Sequence, residues 1–281
     1  MRQLPAYAYH FFPRADSLRL TRVFLERELQ SGSVVELPRE TGAHLAKVLR
    51  ARSGDAVVLF NGDGREFTGV IEKVQGSRVS ASIGAARRID RESPFQLTLV
   101  QCVPRGDRMD FIVQKATELG VVRIVPVLSQ RSVVRLDESQ STSKQAHWRA
   151  VAVSACEQCG RNRLPSVDTP LPLLSYLGGL APPTAEEALR LVLEPERAEL
   201  GARTPDIASA SAARAQIAIG PEGGFSPEEL DGFDLSAFSR VRLGPRVLRT
   251  ETAAIAAIVV LQARLGDMSA VSDGSSRSTD S

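Results

Sequence analysis

The largely apolar run Ala215 to Ile219 breaks abruptly into Gly-Pro-Glu-Gly-Gly and then into Phe-Ser-Pro-Glu-Glu-Leu, and no other stretch narrows the available folds so far. The run reads as a buried strand. Ser226 suits a helix N-cap, Pro227 suits the first helical position, and Glu229, three residues after the serine, completes a capping box. The glycines between strand and helix let a ligand approach the backbone and leave amide N–H groups uncovered. A strand that ends in such a loop and then starts a helix at once is the geometry of a ligand loop at the carboxyl edge of an α/β sheet.

A second segment repeats the logic. It has a short strand around Arg240 to Leu243, a Gly244-Pro245 turn, a polar stretch from Arg246 to Thr252, and a helix that ends near Gly266 with Thr250 as its expected cap. From Ala253 to Leu261 every residue is apolar, so this helix needs cover on several sides, and a neighbouring subunit is one source of it.

Upstream, strands and helices alternate. Phe95 to Val103 reads as a strand. Asp107 to Leu119 reads as a helix with Met109, Ile112, Val113, Ala116 and Leu119 on one stripe, and Gly120 stops it before a strand at Val121 to Leu128. This βαβ unit implies a parallel sheet. A further helix is expected over Lys144 to Cys159 with Trp148, Val151, Ala152 and Ala155 facing inward, and a strand over Leu189 to Leu193. The alanine-rich stretch from Glu194 to Arg214 has no clear pattern. Between Thr21 and Gly84 the chain reads as short strands (Val34 to Leu37, Ala56 to Phe60, Glu66 to Val74, Arg78 to Ile83) with one helix, Arg39 to Ala51, which points to a small barrel. Residues 1–18 read as an irregular arm, 87–94 as a charged linker, and 267–281 as a disordered Ser/Asp-rich tail.

Composition narrows the class more than the function. In 281 residues, 43% hydrophobic and 24% charged, with a net charge of +2, there is room for two ordinary domains and little to mark a partner. Residues 1–94 hold 15 Arg or Lys against 11 Asp or Glu, a weak basic lean. Nothing approaches a membrane span and the N-terminus lacks a leader pattern, so a cytoplasmic protein is expected, with no membrane partner. Three cysteines fit a reducing compartment. Cys156 and Cys159 form a C-x-x-C, but without a second ligand pair and inside a helical pattern they read as thiols, and no metal is expected.

Together with QKATELGV at Gln114 to Val121, EQCGR at Glu157 to Arg161 and HLAKVLR at His44 to Arg50, the two glycine segments make the chain resemble the 16S ribosomal RNA uridine N3-methyltransferase family of the SPOUT superfamily, between residues 19 and 266. The resemblance implies an α/β fold: a trefoil-knotted SPOUT methyltransferase domain with a parallel sheet over residues 95–266, preceded by a PUA-like RNA-binding β-barrel over residues 19–86. It also implies S-adenosyl-L-methionine as cofactor, a homodimer, and 16S rRNA of the small ribosomal subunit as partner. For the cofactor it points to Leu193, Gly220, Pro221, Glu222, Gly223 and Gly224 on the first loop, and to Leu243, Gly244, Leu248, Thr250, Thr252 and Ala253 on the second.

Catalysis at a uridine N3 requires alignment and removal of a proton. Glu251, Glu118 or Glu157 could act as base, while Arg249 and Arg246 offer fixed donors to a developing anion. Glu251 also reads as a carboxylate favoured at a helix start, and Lys115 with Glu118 as an ordinary ion pair. Arg22, His44, Lys47, Arg50 and Arg65 match basic positions of the family and, with Lys115, Arg131 and Arg161, are the expected RNA contacts, though a solvated face explains several equally well. Contacts to phosphate and shape are expected rather than base stacking. Two other readings stay open. One is a nucleotide-binding enzyme using the Gly220 loop, although G-x-x-x-x-G-K-[ST] and G-x-G-x-x-G are both absent. The other is an RNA-binding module of the same fold without activity.

Overall fold

The computed structural model describes residues 20–184, 189–194 and 212–268. The arm at 1–18, nearly all of the tail and most of the unpatterned stretch after Glu194 lie outside the described residues. The chain divides into two units, one built on residues up to Asn61 with Arg65–Arg88, the other on Gly62–Gly64 with Ile89 onward.

In the first unit, β1 (Thr21–Phe24), β2 (Val34–Glu36), β3 (Ala56–Phe60), β4 (Arg65–Gln75) and β5 (Arg78–Arg88) form one sheet in the order β1-β3-β4-β5-β2. The pairings are antiparallel except β1 with β3. All five strands and helix α1 (Arg39–Lys47) contribute to one core that includes Val23, Val35, Leu45, Leu59, Phe67, Ile71 and Ala81. The expected barrel is thus a sheet folded around a common core, aided by register shifts in β4 at Phe67/Gly69 and Ile71/Lys73. The sequence reading missed β1, whose four residues include a charged side chain, and it ran α1 too far. The helix stops at Lys47, and Arg50 adopts φ 53, a left-handed reversal. β5 continues to Arg88, into the stretch read as a linker.

In the second unit the strands are β6 (Gln96–Cys102), β7 (Arg123–Leu128), β8 (Ser166–Val167), β9 (Leu171–Pro172), β10 (Leu189–Leu193), β11 (Arg214–Ile219) and β12 (Ser239–Val241). They form a seven-stranded sheet, β12-β10-β11-β6-β7-β8 with β9 also on β7, and every pairing is parallel. The alternation of side chains along each strand explains the two layers that cover it. Leu97, Leu99, Ile217, Ile219 and Leu191 face a cluster with α2 (Arg108–Glu118), α3 (Glu138–Cys159) and α6 (Thr250–Leu265). Val100, Cys102, Ala218 and Val192 face a second cluster with α4 (Leu173–Gly178) and α5 (Pro227–Leu235).

Helix α3 begins at Glu138, six residues before the expected Lys144. Asp137 caps it, and the Asp137 and Gln140 side chains form a reciprocal capping box that the polar run concealed. Trp148, Ala152 and Ala155 are buried as expected, and Val151 packs partly buried on the same cluster. Trp148 Nε1 donates to Asp110 Oδ1 at 3.1 Å, which ties α3 to α2. Among the described residues no helix is long and apolar enough to cross a membrane.

Candidate active site

Parallel pairing aligns the carboxyl ends of three strands. Leu193 pairs with Ile219 on one side and with Val241 on the other, so Leu193, the Gly220 loop and the chain leading to Leu243 adjoin. The two glycine-punctuated bends are then tied to each other. The Thr250 hydroxyl donates to the Gly220 carbonyl at 2.9 Å, and its oxygen accepts from Gln101 Nε2 at 3.0 Å. This corrects the reading of Thr250 as a helix cap: Arg249 is the N-cap residue and no side chain caps α6. The hydroxyl is committed to the neighbouring strand ends.

The first bend has the predicted start of α5. Ser226 accepts from the Glu229 amide, and Glu229 accepts from the Ser226 amide at 2.8 Å. Glu229, 1% exposed, does more than cap: it also accepts from Ser129 Oγ at 3.1 Å and from the Gln130 amide at 2.7 Å. It thereby joins the loop after β7 to the helix that follows the glycine loop. Arg131 Nη1 donates to the Gly223 carbonyl at 3.3 Å, and Arg108, at the start of α2, pairs with Glu222. A Cβ on Gly220 would stand 3.0 Å from the Phe225 ring, which would have to give way, and Gly224 holds φ +67, the left-handed conformation that favours glycine.

Of the other residues expected at the cofactor, Leu193, Leu243 and Leu248 are partly buried against the main cluster, Pro221 and Ala253 are buried, and Gly244, with φ +67, and Thr252 are exposed. The N–H groups of Glu222, Gly223, Leu243, Gly244 and Leu248 meet no backbone carbonyl among the described residues. The edge therefore presents apolar walls and available main-chain donors together.

The structure sorts the catalytic candidates. Arg246 and Arg249 are exposed in the second bend, and Glu251 follows Thr250, half-buried, with one carboxylate oxygen enclosed and without a partner among the described residues. Glu118 is elsewhere. It lies ten residues beyond Arg108, about 15 Å along α2, at the end where Gly120 approaches Gln262 near the close of α6, and it is paired with Lys115 at 2.8 Å. Glu157 shares that far end, since it precedes Arg161, which bonds to carbonyls at the end of α2. Within this chain both carboxylates are removed from the loops, and Lys115 with them.

Two of the expected RNA contacts are corrected by burial. Arg161 is 4% exposed: it holds Glu92 and donates to the carbonyls of Thr117 at 2.7 Å and Val121 at 3.0 Å. It closes the carboxyl end of α2 from inside. Arg22 pairs with Glu66 at 2.8 Å and lies 4.8 Å from the Phe60 ring centroid, with its side chain 11% exposed. His44, Lys47 and Arg50 are exposed on the last turns of α1 and just beyond, and Arg65 is exposed at the start of β4. Arg131 is engaged with the glycine loop.

Sequence reasoning missed Gln101, Arg108 and the bridging role of Glu229. A glutamine inside the apolar strand was the available signal for the first. Cys102, fully buried at the end of β6, has its thiol pushed well up, first by burial and then by the charge of Glu229, so it stays protonated and is no nucleophile. Among the described residues no group of three or more His, Cys, Asp or Glu could hold a metal ion.

A parallel α/β sheet whose carboxyl edge carries two interlocked glycine bends defines a ligand-binding enzyme domain, and residues 91–262 match the RNA methyltransferase domain family while residues 37–84 match the RNA methyltransferase PUA domain. The ribosomal RNA small subunit methyltransferase E of Buchnera aphidicola is 31% identical over 89% of this chain and 99% of its own length. That of Mycobacterium bovis is 34% identical over 81% and 86%. The chain belongs to the ribosomal RNA small subunit methyltransferase E family. A methyltransferase from Legionella pneumophila, solved with bound cofactor SAM, superposes with a TM-score of 0.82 at 39% identity, covering 89% of this chain and 100% of its own. The Neisseria gonorrhoeae family member bound to S-adenosyl methionine gives 0.78 at 36% identity, covering 89% and 99%.

Proposed function

We propose that this protein transfers a methyl group from S-adenosylmethionine to N3 of a uridine in the decoding region of 16S rRNA. The observation that carries the reading is the bond from Thr250 to the Gly220 carbonyl, which makes one edge site of two distant bends. The residues fit the donor. Leu193, Leu243 and Leu248 offer apolar walls to an adenine ring, and the amides of Glu222, Gly223 and Gly244, which meet no backbone carbonyl among the described residues, offer hydrogen bonds. When bound, S-adenosylmethionine supplies an electrophilic methyl on a sulfonium centre. The chain must hold the acceptor in line with it and help the N3 proton leave. Alignment contributes more, since it can supply about 7–11 kcal/mol of a barrier, whereas a positioned base gives about a hundred- to ten-thousandfold. In this reading Glu251 receives the proton, and Arg249 and Arg246 stabilise the uridine anion.

The target base must leave its stack to expose N3. His44, Lys47, Arg50 and Arg65 on the first unit are the phosphate contacts in this reading, which places the protein in the cytoplasm with the small subunit. A homodimer belongs to the same proposal. Ile255, Ala256 and Val259 remain half-buried and Val260 is 38% exposed, a stripe at helical spacing on α6 that a second copy would cover. The trefoil knot that the resemblance implies belongs to the same proposal.

Calorimetry with S-adenosylmethionine and ATP, followed by labelled methyl transfer to small subunits and mass-spectrometric mapping of the product, tests the reading. Binding of ATP alone favours a nucleotide enzyme. Donor binding without transfer to RNA or subunits favours an inactive module.

A further inference from the structure

We propose that Gln101 is a positioning residue for the methyl-donor loop, acting through the Thr250 hydroxyl on the Gly220 carbonyl. The inference rests on the donor reading above and adds to it a residue on a strand that contributes nothing to either bend.

Gln101 is 0% exposed, in a strand whose neighbouring positions are Val100 and Cys102. An amide buried there is costly unless its groups are bonded. One of its two N–H groups meets the Cys102 carbonyl at 2.9 Å and the other meets Thr250 Oγ1 at 3.0 Å. The amide cannot be turned over, because its oxygen would then face a carbonyl, acceptor against acceptor. Since Thr250 Oγ1 accepts from this amide, its single proton is directed at the Gly220 carbonyl 2.9 Å away.

Gly220 precedes Pro221, which has no N–H to anchor the turn. The carbonyl therefore sets the peptide plane from which the Glu222 and Gly223 amides are aimed, the Gly224 amide being held inside the turn by the Pro221 carbonyl at 3.0 Å. The far side of the loop is held separately, by Arg131 on Gly223 and by Glu229 on the loop after β7. Gln101 thus supplies the pin at the near side.

The other end of the amide shows what this arrangement costs. Gln101 Oε1 is enclosed and has no partner among the described residues, a desolvation left unrecovered there. Leucine would fill the same place without that loss, but it could not orient a hydroxyl. Gln101 is enclosed by protein, so it acts on the loop and does not touch the ligand.

The test compares full-length wild type with Gln101→Leu, Thr250→Val, the double variant and Thr250→Ser. It measures the dissociation constant for S-adenosylmethionine by calorimetry, and KM and kcat on small subunits. Gln101→Leu and Thr250→Val each weaken donor binding about tenfold, with the KM for subunits unchanged. The double variant is no weaker than the weaker single one, because both break one chain of bonds. Thr250→Ser keeps the hydroxyl and binds the donor like wild type. Gln101→Met, closer to glutamine in shape, repeats the measurement if Gln101→Leu folds poorly. Wild-type donor affinity in the Gln101 variants, or a double variant that multiplies the two losses, overturns the proposal. A wild-type protein that binds no S-adenosylmethionine overturns the donor reading itself.

Discussion

Glu229 shows how much a single side chain can join. Its carboxylate caps α5, receives the Gln130 amide and the Ser129 hydroxyl, and is itself buried. Glu229→Ala strands several of those donors at once and costs about 2–4 kcal/mol, read as a lower urea midpoint with little change in slope. An unchanged midpoint would show that water replaces the carboxylate. Cys102 gives a pH signature. Its folded thiol holds the proton above the pH where the unfolded chain, near about 8.5, releases it. The folded-state pKa is the raised one, so the stabilisation is fully present below about pH 8.5 and is lost as pH climbs beyond it. Cys102→Ala flattens that part of the stability profile, and parallel profiles for the two proteins would refute it.

At the scale of elements, Arg161 is the clearest case of a motif residue whose work is structural. It fastens the carboxyl end of α2 to Glu92 and to the backbone at Thr117 and Val121. Arg161→Ala leaves a half-satisfied carboxylate and bare carbonyls, and a loss of about 3–5 kcal/mol follows. Where the variant is folded, the salt dependence of its RNA binding matches wild type; a shallower slope would restore Arg161 to the RNA surface. The start of α5 was legible because Ser226, Pro227 and Glu229 interact within a few residues. At the start of α6 the position was legible but the work of Thr250 was not. The partners of Thr250 lie 30 and 149 residues away, and no local rule reports them. Helix α3 is the intermediate case: its capping residues were in plain view, but a polar run of Ser, Gln and Thr masked the periodicity.

For the whole molecule, the proposed dimer and RNA surfaces each make a prediction. On α6, Val259→Glu puts a charge on the half-buried stripe. The expected outcome is a monomer in sedimentation and loss of methyl transfer, and a variant that stays dimeric would move the interface elsewhere. On the first unit, Lys47→Ala and Arg50→Ala each lower the salt slope of RNA binding by about one. A slope unchanged in both would leave the exposed turn after α1 as a solvated face. Arg22, sequestered by Glu66 and Phe60, is expected to have no such effect.

The main alternation of strands and helices, without β1, β8, β9 and α4, the two glycine bends and the α5 capping box were determined by sequence alone, because periodicity, turns and caps are set by interactions within a few residues of one another. Tertiary structure decided which polar residues share a site. Parallel pairing brought Leu193, Gly220 and Thr250 to one edge, while burial withdrew Arg161 and Arg22 from the surface and helix length carried Glu118 away from it. Burial and long-range contact depend on what the rest of the chain packs against, and a residue's own neighbours in sequence do not specify that.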